Sequence, residues 1–197
     1  MILPIVAYGD PVLRKKATAI TPDYPKLEDF IASLFETMYE AHGVGLAAPQ
    51  VGQSIRIFVV DTEPFANDKA LSSETQEFLA NFKQVFINPE IEKEEGEEWA
   101  FTEGCLSIPD IQDDVWRKPT ITLRYQDAQF KLHTRTFTGL AARVIQHEYD
   151  HLEGILFTDT LSPLKKRLLK SKLTKISKGD ISVDYRMRFP QQSKRKR

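Results

Sequence analysis

The sequence predicts an α+β fold, a single domain in which antiparallel strands pack around a central metal-bearing helix. Three observations carry that expectation. Residues 146–154 read Gln-His-Glu-Tyr-Asp-His-Leu-Glu-Gly; if Leu140, Val144, Ile145 and Leu152 mark one face of a helix, His147 and His151 stand one turn apart on another. Just upstream, residues 119–127 and 129–138 alternate in the manner of a hairpin turning at 126–129. The chain itself, 197 residues and 41% hydrophobic, suits one globular domain with a core large enough to hold a buried site.

The remaining elements follow in chain order. Residues 4–20 carry turn chemistry at Gly9-Asp10-Pro11 and little periodicity, so we expect them to wrap the surface. Leu27, Phe30, Ile31, Leu34, Phe35 and Met38 recur at three- and four-residue intervals, an amphipathic helix starting near Asp23 or Pro25 and stopped by Gly43. Residues 55–60 read as a buried strand, and 62–81 as a polar excursion with a short helix near 73–82. A strand over 83–88 should end at Pro89, and the acidic stretch 90–99 should form an exposed strand pair turning at Gly96. His133 is expected on an exposed strand face, and Gly154 should stop the histidine-bearing helix. A short basic helix over 164–176 comes next. Beyond it Ile181, Val183, Tyr185, Met187 and Phe189 alternate with Ser182, Asp184, Arg186 and Arg188, the pattern of a half-buried strand. This reading divides the chain into a catalytic domain, 1–190, and a disordered basic tail, 191–197.

Composition narrows the setting. Cys105 is the sole cysteine, so no internal disulfide can form, and a reducing, cytoplasmic home is expected. No apolar run reaches membrane-spanning length, and residues 1–7 are too short for a signal peptide. The formal net charge of −1 hides an asymmetry: from Lys165 onward thirteen Lys and Arg face only Asp180 and Asp184. Such a basic end suits contact with nucleic acid or a ribonucleoprotein.

The chemistry begins at His147-Glu148-x-x-His151, where two imidazoles at i and i+4 can hold one transition ion and the carboxylate can take a proton from water. Two ligands do not complete a site. Two other stretches stand out: Gly43-Val44-Gly45-Leu46-Ala47-Ala48-Pro49-Gln50, whose glycines let a backbone pass close to something else, and Glu103-Gly104-Cys105-Leu106-Ser107, which holds the cysteine. Together, in order and spacing, these three segments resemble the signature motifs of the peptide deformylases.

The resemblance implies that Cys105, His147 and His151 hold a divalent ion, Fe(II) in the native form. A thiolate with two imidazoles would leave a four-coordinate ion one open position, the layout of a catalytic centre. Donor softness alone would equally admit Zn(II), Ni(II) or Co(II). By the same resemblance Glu148 is the proton shuttle, and the Leu106 N–H and the Gln50 amide face the oxyanion. Gly43, Val44, Gly45, Gly104 and Val144 would bind an N-formylmethionyl peptide, with His147 also lining the methionine pocket. Glu103 and Arg117 would form a supporting ion pair. Arg143, one turn before His147, departs from the aliphatic residue common there and bears on the pocket wall. The implied protein is a monomer that meets the nascent chain at the ribosome through its basic end and binds no membrane.

Two other functions fit parts of the sequence. A zinc peptidase of the His-Glu-x-x-His class would need a third ligand downstream, but Phe157 occupies the required histidine position and no glutamate follows Glu153, leaving only Asp159. An RNA-binding module with a structural metal would use the basic end and leave the proton shuttle without a task.

Overall fold

The computed structural model describes residues 1–190. Five strands form its central antiparallel sheet, β2 (Gly45–Ala47), β3 (Ile57–Asp61), β4 (Lys83–Glu95), β7 (Thr120–Gln126) and β8 (Leu132–Thr138), in the order β2-β3-β4-β7-β8. The remaining strands are β1 (Ile5–Val6), β5 (Trp99–Cys105), β6 (Ile108–Arg117) and β9 (Met187–Arg188), and the helices are α1 (Leu27–Glu40), α2 (Ser73–Asn81), α3 (Gly139–Leu152) and α4 (Pro163–Lys178). The period-2 alternation of β3 explains the layering. Phe58 and Val60 join Ile145 and Leu152 of α3 in one core, while Ile57 and Val59 join Leu34 and Met38 of α1 in another. Phe86, fully buried and stacked on Phe58 at 4.8 Å, ties β4 to the α3 side; truncating such a ring to alanine costs about 3–5 kcal/mol. A third core joins the β5–β6 hairpin to α4 through Ile108, Ile111, Val115, Leu173 and Ile176.

The hairpin, all four helices and the mixed architecture follow the pattern in the sequence. Ser72 and Ser162 accept hydrogen bonds from the N–H groups of Thr75 and Lys165, capping α2 and α4, and Gly179 ends α4 with φ +74°. His133 is half-buried, its ring nitrogen 2.7 Å from Asp127.

Four expectations are corrected. The strand from Lys83 does not stop at Pro89 but runs to Glu95, because the ladder to β7 shifts register between Ile87 and Glu90 and Pro89 falls in that irregularity, where a missing N–H is tolerated. Residues 90–99 do not pair with each other: Glu90–Glu95 stay with β7, and Trp99 opens a separate hairpin after Gly96 (φ +90°). The amino-terminal stretch does not simply wrap the surface, since Ile5, Val6 and Ala7 are buried and Ile5–Val6 pairs in parallel with β9. Alternation over 181–189 yields only the two-residue strand Met187–Arg188, because residues 182–185 instead run along the large cleft beside α3. Residues 191–197, expected to be a disordered tail, lie outside the described residues.

Candidate metal centre

Helix α3 is delivered straight from the hairpin through Gly139 (φ +58°), and its inward stripe seats it against the sheet. That anchoring presents His147 and His151 to the end of β5, where Cys105 is the last strand residue. One potential ligand atom from each of Cys105, His147 and His151 lies within 4.8 Å of the others, and the Cys105 Sγ stands 3.3 Å from His151 Nε2. Soft sulfur and two imidazoles fit a transition ion with a position left open. A further observation favours that fit: Glu148, buried beside the triad, has one carboxylate oxygen, Oε2, with no partner among the described residues. A buried carboxylate oxygen without a partner is costly unless something polar meets it.

The support around the ligands is charged and almost dry. Glu103 accepts from Arg117 Nε at 2.7 Å and Nη2 at 3.0 Å, from Arg143 Nη1 at 3.0 Å, and from His147 Nδ1 at 2.9 Å. That last bond holds a proton on Nδ1, so Nε2 is the nitrogen that faces a metal once it gives up its own proton. Arg117 also donates to Asp150 at 2.7 Å. Burial pushes the Glu103 carboxyl up, but the hydrogen bonds and charges of His147 and Arg117 outweigh it and hold the group well below the usual carboxylate range. Burial lifts Glu148 to about 7, with the nearby positive groups only partly opposing. His151 is held neutral by burial, whereas His147 is raised, despite its burial, by Cys105 and Glu103.

Gly43 and Gly45 owe their identity to close approach. A Cβ on Gly43 would stand 2.7 Å from Leu106 Cδ1, and one on Gly45 only 2.5 Å from Glu148 Oε1. Gln50 sits in the 3-10 turn after β2, its Oε1 accepting from the Ala47 N–H at 2.8 Å. This turns its Nε2 toward Cys105 Sγ at 3.6 Å and Ser107 Oγ at 3.5 Å. Gly43, Gly45, Gln50, Cys105, His147 and Glu148 border one cleft of about 1030 Å³, as do Val44, Glu103, Gly104, Leu106 and Val144. Arg117 stands behind the cleft, where Glu103 meets it.

Arg143 is resolved as part of this support. It borders the cleft, but its guanidinium donates to Glu103 at 3.0 Å and to the carbonyls of Val115 at 3.0 Å and Trp99 at 2.7 Å and lies over the Trp99 ring at 4.5 Å, so its charge is matched by these partners. Asp159, the fallback ligand for a peptidase, is paired with Arg14 outside the triad. Sequence reasoning missed Asp150, Phe65, Phe101 and Tyr185, the last three of which line the cleft. Only Asp150 had a visible signal, as an acid set between the two histidines.

A cysteine sulfur and two imidazoles beside a buried carboxylate define a metal-dependent hydrolase. Comparison with known proteins makes the class specific. The family model described as polypeptide deformylase matches residues 2–167. The peptide deformylase of Christiangramia forsetii is 62% identical over 194 residues, covering 98% of this chain and 99% of that protein. That of Flavobacterium johnsoniae is 62% identical over 189 residues, covering 96% of each. Among solved structures, a peptide deformylase from Legionella pneumophila superposes with TM-score 0.76 at 39% identity, covering 91% of this chain and 98% of that one. The enzyme from Thermotoga maritima superposes with TM-score 0.71 at 40% identity, covering 83% and 99%. The chain belongs to the polypeptide deformylase family.

Proposed function

We propose that the chain removes the formyl group from N-terminal formylmethionine, releasing formate and a free amine, with residues 1–190 as the catalytic domain. The observation that carries this reading is the convergence of Cys105, His147 and His151 beside the unpartnered Oε2 of buried Glu148. Cys105, His147 and His151 would hold a divalent cation, which when bound makes water acidic enough to attack near neutral pH and polarises the formyl carbonyl. Glu148 takes the proton from the attacking water and returns it to the amine as the carbon–nitrogen bond breaks. Gln50 Nε2 and the Leu106 N–H donate to the oxyanion that forms on the former formyl oxygen. Strand β2 is an edge strand, so the backbone of Val44 and Gly45 can pair with the extended peptide. Val44 and Val144 supply apolar wall for the methionine side chain, with Phe65 and Phe101 in the same cleft.

Fe(II) is the proposed native ion, with Zn(II), Ni(II) or Co(II) able to occupy the same soft donors. Iron beside a thiolate invites oxidation, so activity should decay in air faster for the iron form than for nickel or cobalt forms. Every group named belongs to one chain, which supports a monomer. Its formylated substrates arise at the ribosome, which argues for the cytoplasm; among the described residues, no helix is long and apolar enough to cross a membrane. Exposed Lys166, Lys170, Lys172 and Lys178 on α4 support contact with rRNA. Ribosome cosedimentation unchanged after reversing those four charges would refute that contact. The test of the activity is formate release from formyl-Met-Ala-Ser by iron-loaded protein prepared without air; no release from fully loaded enzyme would overturn it.

A further inference from the structure

The first and last strands of the described residues meet beneath the oxyanion donors. Strands β1 and β9 pair in parallel, Ile5 with Met187 and Val6 with Arg188. The N–H groups of Ile5 and Ala7 donate to the carbonyls of Arg186 and Arg188 at 2.9 and 2.8 Å. Three contacts then lead from this ribbon to the segments that carry the donors. The Tyr8 N–H donates to the Ser107 carbonyl at 2.8 Å. The Tyr185 hydroxyl donates to the Leu106 carbonyl at 2.7 Å. The Arg188 guanidinium packs on Gly52, two residues past Gln50, so closely that a Cβ there would stand 2.6 Å from Nη2.

Leu106 and Ser107 lie between β5 and β6, outside the ladder that those strands share. Their carbonyls are therefore held from elsewhere, one by Tyr185 and one by Tyr8. The Leu106 N–H and C=O flank the same Cα. With Cys105 paired to Ile108 on one side and the carbonyl pinned on the other, φ and ψ of Leu106 have little room to drift. Because an oxyanion donor works only when aimed beforehand, a small rotation of that residue weakens the transition state more than the substrate complex.

We propose that Tyr185 is a positioning residue for deformylation, fixing the Leu106 carbonyl and through it the aim of the Leu106 N–H. This rests on the reading of Leu106 and Gln50 as the oxyanion donors. Tyr185 lies beyond residues 2–167, the stretch that the family model matches, so the carboxyl-terminal segment becomes part of the catalytic apparatus and not merely a fastening.

The variant Tyr185→Phe removes the hydroxyl and keeps the ring that packs in the α1-side core. On metal-loaded enzyme with formyl-Met-Ala-Ser, we expect kcat to fall about tenfold with KM changed less than about twofold. Affinity for the product Met-Ala-Ser, measured by calorimetry, should be unchanged, and the thermal midpoint should stay near that of the parent. In the zinc-loaded protein the amide cross-peak of Leu106 should shift or broaden. An unchanged kcat, a loss confined to KM, or an undisturbed Leu106 amide would overturn the proposal. Gln50→Ala separates the two levels. If it costs about 10²- to 10³-fold in kcat while Tyr185→Phe matches the parent, Tyr185 alone is misassigned; if Gln50→Ala is also harmless, the oxyanion reading beneath it fails.

Discussion

Two arginine–glutamate pairs, each bridging two antiparallel strands, use the same chemistry to different ends. Arg117 and Glu103 join β6 to β5 with side chains only 9% and 5% exposed. Arg124 and Glu90 face each other across β7 and β4 with side chains 46% and 59% exposed. In the first pair, desolvation is severe and is offset only because Glu103 collects donors from Arg117, Arg143 and His147 together. In the second, water and salt screen the attraction and each partner loses side-chain freedom to make it. The difference teaches that an ion pair matters to this protein through what else it holds. Glu103 holds the ring of His147, a proposed metal ligand; Glu90 holds a surface.

Breaking the buried arrangement should have the largest effect. Glu103→Ala removes the carboxylate that two buried guanidinium groups share, leaving Arg117 only Asp150 and Arg143 only carbonyls, and frees the His147 ring, so we expect a loss of about 3–5 kcal/mol in denaturant unfolding. Metal affinity measured by competition with a chelator should fall about 10- to 100-fold. Next comes Gly45→Ala, which drives a Cβ into Glu148. Displacing the proposed proton shuttle should lower kcat about 100-fold while bound metal stays stoichiometric. Arg143→Met keeps much of the side-chain length but abandons the carbonyls of Val115 and Trp99. Unfolding should register about 1.5–3 kcal/mol, with a smaller drop in metal affinity than for Glu103→Ala. Smallest is Arg124→Ala, for which neither the unfolding midpoint nor formate release should change measurably. A large effect there would erase the contrast between the two pairs.

The chemistry was more legible than its scaffolding. His147, Glu148 and His151 announce themselves because helical spacing alone puts them together, and the family resemblance brought in Cys105 and Gln50. Arg143 looked out of place beside a pocket because its reason, Glu103, lies forty residues away across a strand. Periodicity reports which face of an element is buried and not what it meets. The same limit hid the β1–β9 ribbon, a pairing of two-residue strands from opposite ends of the chain, and with it the contact from Tyr185 to Leu106. Pro89 misled for a different reason: proline ends a regular strand, but the register shift between Ile87 and Glu90 lets this one continue. Phe65 and Phe101 reach the cleft from a polar excursion and a weakly patterned hairpin, where no local signal separates a pocket wall from a surface ring.

Deformylation as proposed requires Glu148 to move a proton beside a metal held by Cys105, His147 and His151. The direct measurement is formate release from formyl-Met-Ala-Ser by Glu148→Ala protein carrying the same amount of metal as the parent. Release reduced to the background of metal-free protein is the predicted result. Release at the parent rate from that fully loaded variant would contradict it.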